Sequence, residues 1–104
     1  MTYHIGIAAF CGAEHTEIAV AIQRDGHSTS RLWRSAHLDA HNAVAEAVAR
    51  VRALRFASHA PRTIYVRQQS VVTMLHDPLV QWSSARAPDG EHPALRAAVD
   101  LLFR

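Results

Sequence analysis

A chain of 104 residues with 49% apolar content is long enough for one hydrophobic core and too short for two, and the absence of low-complexity runs excludes a disordered chain. Its formal charge of +2, carried by arginine with no lysine anywhere, is smaller than that of a dedicated nucleic-acid binder. One cysteine, Cys11, excludes an internal disulfide, and no apolar run approaches the ~20 residues of a membrane helix, so a soluble, cytoplasmic protein forming one compact domain over residues 1–104 is expected.

Tyr3 to Phe10 is apolar at nearly every position from Ile5, the pattern of a strand covered on both faces. After a turn at Cys11 to Glu14, Thr16 to Arg24 alternates with Ile18, Val20 and Ile22 on one side, which predicts a half-buried strand. Asp25-Gly26 predicts a hairpin, because both residues tolerate the positive φ angles of tight turns. A third strand follows at Ser30 to Ala36, with Leu32 as its clearest inward residue and Trp33 or Ala36 less so.

The stretch from Asp39 to Ser58 is the most regular in the chain. Val44, Val48, Val51 and Leu54 recur at helical steps, with alanine between them and Asp39, His41 and Asn42 as capping residues at the start. Arg62 to Val66 then predicts a strand, and a strand reached through a helical crossover pairs in parallel with one already in the sheet. Gln68 to His76 predicts a short helix, Leu79 to Ser83 a fifth strand, Ala85 to His92 a loop and Pro93 to Arg104 a terminal helix with Leu95, Val99 and Leu102 on one face.

The order β-β-β-α-β-α-β-α resembles the ribonuclease H fold, a mixed five-stranded sheet with helices packed on it. Short words are similar too: His41-Asn42 before Ala45-Glu46-Ala47-Val48-Ala49, Tyr65-Val66-Arg67-Gln68-Gln69-Ser70-Val71-Val72 in the frame of the family's fourth strand, and Val80-Gln81-Trp82 in that of its fifth. That family hydrolyses the RNA of RNA–DNA hybrids with two magnesium ions held by clustered carboxylates. Carried over, the metal-binding acids fall at Ala8 or Ala9, Glu46, Arg67 and near Leu95, so only Glu46 is acidic. The resemblance therefore implies a pseudoenzyme with no metal and no cofactor, in which Arg67 pairs with Glu46 where the cations would have been, Arg50 lying one helical turn along.

The function expected is that of a binding module for a protein or a nucleic acid, a phage or bacterial accessory protein in a GC-rich genome. The alternative is a divergent metal-dependent nuclease acting on RNA or RNA–DNA hybrid. Nucleic-acid contacts would fall to Arg50, Arg52, Arg55 and Arg67 with Trp82 as a stacking surface, and a homodimer would use a sheet edge or face. The eight histidines are scattered without metal-ligand spacing, Glu14, Glu17, His15 and His92 read as solvated turn residues before they read as acids or bases, and Cys11 is expected to be buried or half-buried.

Overall fold

The computed structural model describes residues 3–53, 62–66, 80–83 and 92–104. Along them run β1 (Tyr3–Cys11), β2 (His15–Arg24), β3 (His27–Ala36), α1 (Ala40–Arg52), β4 (Arg62–Tyr65), β5 (Val80–Ser83) and α2 (Pro93–Leu102). The strands lie in the spatial order β3-β2-β1-β4-β5. The packed body is the four-stranded mixed sheet β3-β2-β1-β4, and β5 adds a short parallel ladder beyond β4.

The pairing follows from the turns. Asp25 and Gly26 have φ of 50° and 80°, the geometry of a two-residue I′ turn, whose twist matches the strands it joins. It sets Arg24 opposite His27 and, further along, Ala19 opposite Leu32 and Ile18 opposite Trp33. β1 pairs antiparallel with β2 on one side and parallel with β4 on the other, with Ile5 opposite Ile22 and Ile64 respectively, so the chain does reach β4 through a helical crossover.

Alternation gives the sheet two unlike faces. On one, Ile5, Ile7, Ile18, Val20, Ile22 and Ile64 meet Val44, Val48 and Val51 of α1, with Ala43 and Ala47 letting the helix approach closely. Each fully buried isoleucine or valine there stabilises the fold by about 2 kcal/mol. On the other face the contact is made mostly of small residues: Ala19 and Ala21 meet Ala98 and the larger Leu102 of α2. Gly6 belongs to this face, and a Cβ on it would stand 2.1 Å from the Ala94 carbonyl oxygen, so α2 crosses β1 at a separation that only glycine permits.

Two side chains fix the entry to α1. The Asp39 carboxylate accepts from the Asn42 N–H at 2.8 Å as the N-cap. The hydroxyl of Thr16, a buried polar residue of β2, accepts from the Leu38 N–H at 2.8 Å and donates to the Leu38 carbonyl at 3.2 Å.

The expectation of a ribonuclease H-like five-stranded sheet carrying three helices in the order β-β-β-α-β-α-β-α is corrected. The described residues carry two helices and run β-β-β-α-β-β-α, with α1 covering the isoleucine face and α2 the alanine face. The helix expected at Gln68–His76 lies outside the described residues, as do Leu54 to Ser58 at the expected end of the central helix, where Ala53 is the C-cap. What stands is a small α/β domain. Leu32, expected inward, is 49% exposed, because the hairpin register gives the core side to Trp33. Cys11, expected to be buried or half-buried, is exposed at the end of β1.

Candidate functional site

Three places combine exposed or half-buried chemistry with a defined geometry. The first is the C-terminal end of β1, where the resemblance would put metal ligands. A hollow of about 330 Å³ opens there between the start of α1 and the end of α2, lined by Ala8, Cys11, Val44, Val66, Val99 and Phe103 among others. No described residue lining it is acidic. Leu95, the last of the carried-over positions, is a buried residue of α2 itself. Glu46, the retained acid, points its carboxylate to Arg50, whose Nε donates at 3.0 Å across one helical turn. The guanidinium of Arg50 lies in turn 5.2 Å from the centre of the Trp33 ring on β3. Glu46 is thus tied toward the β3 side of the sheet. Arg67, the partner expected for it, lies outside the described residues. Among those residues no group of three histidine, cysteine or acidic side chains is placed to hold a metal ion.

Of the arginines expected to contact nucleic acid, only Arg50 has a described side chain. Arg50 is engaged as above, and Arg34 donates to Glu17 across the β2–β3 ladder at 3.0 Å. Arg55 and the side chains of Arg52 and Trp82 lie outside what is described. Partly exposed pairs of this kind contribute only a few tenths of a kcal/mol each, so their effect is on surface potential more than on stability.

The second place is a ring cluster where β1, β4 and the start of α2 meet. His4 Nδ1 and the Tyr65 hydroxyl are 3.0 Å apart, the Tyr65 and His92 rings stack at 3.8 Å between centres, and the His4 and His92 rings lie 5.0 Å apart. Burial raises the Tyr65 phenol above its usual range, so it stays protonated at neutral pH. His92 is the N-cap of α2: its Nδ1 accepts from the Ala94 N–H at 3.1 Å, an acceptor role that an imidazolium cannot fill. Burial first, and the nearby His4 second, lower the His92 pKa. The unfolded chain, binding a proton at His92 near pH ~6.5, therefore holds it more readily than the folded one, and stability is lost as pH falls from there through the lowered folded value. The midpoint of denaturant unfolding is expected to drop between about pH 7.5 and pH 5.5, and His92→Asn, which caps without titrating, to remove part of that drop. An equal drop in both proteins would dismiss His92 as the cause.

The third place is the outer side of β3. In a two-residue hairpin the residues flanking the turn exchange both backbone hydrogen bonds, so Arg24 and His27 do so, and with them Thr29, Arg31, Trp33 and Ser35 bond inward to β2. The N–H and C=O groups of Ser28, Ser30, Leu32, Arg34 and Ala36 consequently face away from the sheet, and no described strand pairs with them. Their side chains stand on the α2 face, with Leu32 half-exposed at the middle of the row.

His4, Tyr65 and the β3 edge were not singled out as sites by sequence reasoning. A signal for the first lay in the small residues Gly6 and Ala8 following His4 at every second position, and for the last in the polar, weakly alternating composition of His27 to Ala36. No family model and no curated protein matches the chain. The fold and these sites define a small α/β domain with a mixed sheet, helices on both faces and one long strand at its margin.

Proposed function

We propose that this domain is a non-catalytic interaction module that acts by protein contact along the β3 margin of its sheet. The observation that carries this reading is the row of outward-facing backbone groups from Ser28 to Ala36, a template for one more strand whose main-chain bonds supply affinity. Two features favour protein over nucleic acid as the partner. Arg34 and Arg50 are already turned to carboxylates, and the margin carries an exposed leucine in place of a free arginine track. The apolar lining at the end of β1 supports a non-catalytic reading, since two-metal hydrolysis needs several carboxylates around the cations and Glu46 is held by Arg50.

The test is incubation with RNA–DNA hybrid, single-stranded RNA and DNA in magnesium or manganese. Neither cleavage nor salt-sensitive retention of the nucleic acid is expected. Metal-dependent cleavage abolished by Glu46→Gln would establish the nuclease alternative, and binding that weakens steeply as salt rises would establish a phosphate-contacting module.

A further inference from the structure

We infer that the partner at this margin is a second copy of the chain, bound by antiparallel β3–β3 pairing about a two-fold axis through Leu32. The inference rests on the protein-contact reading above and adds to it the partner and the register. The outward row is symmetric about its centre: Ser28 and Ser30 lie as far before Leu32 as Ala36 and Arg34 lie after it. An antiparallel copy centred on Leu32 therefore pairs every outward N–H and C=O, with Leu32 opposite the partner's Leu32, Ser30 opposite the partner's Arg34 and Ser28 opposite the partner's Ala36. Any other centre leaves outward groups at the row ends without a strand partner.

The side chains suit the same register. A two-fold axis perpendicular to the sheet keeps like faces together. On the α2 face the two Leu32 side chains, 49% exposed in the single chain, meet at the axis and shield each other. On the α1 face Arg31 stands opposite the partner's Trp33, an arginine–aromatic pair. A shift that centres the pairing on Arg31 would set two guanidiniums against each other. One that centres it on Trp33 would place Leu32 against the partner's Arg34. In the Leu32 register no two charged residues stand directly opposite: Arg34, paired with Glu17 in its own chain, faces a serine, and Arg50, which also lies over Trp33, is paired with Glu46. The product is one continuous sheet through both copies, with the margin of each removed by the other.

Light scattering and sedimentation over a wide concentration range, in reductant and with Cys11→Ser to remove the exposed thiol as a source of covalent dimers, read the association directly. The expected result is a mass twice that of the chain. Leu32→Lys puts like charges at the axis, and Ser30→Pro removes an outward N–H at a position where an edge strand tolerates proline. Each is expected to raise the dimer dissociation constant at least about tenfold while leaving the circular dichroism spectrum unchanged. Two substitutions are used so that a folding failure in one leaves the other to decide. A wild-type monomer at every concentration, or a dimer that neither substitution weakens, overturns the inference. Either result leaves the broader reading standing, since that one fails on nucleic-acid cleavage or salt-sensitive retention, which are measured separately.

Discussion

Gly6→Val is expected to destroy the native packing of α2, lowering stability by about 3 kcal/mol or more and removing part of the helical signal. The reason is the identity of the atoms in the way. A Cβ at Gly6 would lie 2.1 Å from the Ala94 carbonyl oxygen, 2.3 Å from its carbon and 2.4 Å from the Leu95 nitrogen, all of them backbone. A clash with the end of a flexible side chain relaxes by a rotamer change. A clash with helix backbone relaxes only if the helix moves, and moving α2 lifts Ala98 and Leu102 from Ala19 and Ala21 and draws Ala94 away from its His92 cap. Even Gly6→Ala brings the offending atom. If denaturant unfolding shows Gly6→Ala within about 1 kcal/mol of the wild type, α2 does not cross β1 at this distance.

Thr16→Val is the second large effect, expected to cost roughly 2 kcal/mol although the two side chains have nearly the same shape. The hydroxyl of Thr16 serves both the N–H and the C=O of Leu38, on the segment that carries the chain from β3 into α1. Valine leaves both groups without that partner, beside a position fully removed from solvent. Thr16→Ser keeps the hydroxyl and loses only a methyl group, so it should retain most of the stability. Valine as stable as threonine in denaturant unfolding, or serine as damaging as valine, would show that the hydroxyl is not what holds Leu38.

Much of this architecture was legible in the sequence because it is local. The strand at Ile18, Val20 and Ile22, the Asp25-Gly26 turn and the Asp39 cap each concern neighbours in the chain, and the structure has them, although β2, expected to be half-buried, is covered on both faces because Ala19 and Ala21 lie under α2. The side of Leu32 was legible in principle: a two-residue turn sets the parity of β3 against β2, and parity sends Trp33, not Leu32, to the face of Ile18. Reading β3 by its own weak alternation lost that information. The ring cluster was not legible, because His4 and Tyr65 are 61 positions apart and meet only through the parallel pairing of β1 with β4. For Glu46, the sequence offered Arg67 through the family frame and Arg50 one helical turn along; Arg50 pairs with it, and Arg67 lies outside the described residues.

The unlike faces of the sheet also decide how much room this protein has to change. Beneath α1, branched side chains of similar volume press on one another, and exchanges among isoleucine, valine and leucine can be absorbed by repacking. Where α2 crosses β1 and β2 the contact is alanine on alanine and backbone on glycine beside Leu102, so little is left to trim and nothing larger can enter at Gly6. A lineage drifting from this sequence would vary freely on the first side and hold the second nearly still. The quieter half of its core is thus the one built from the smallest residues.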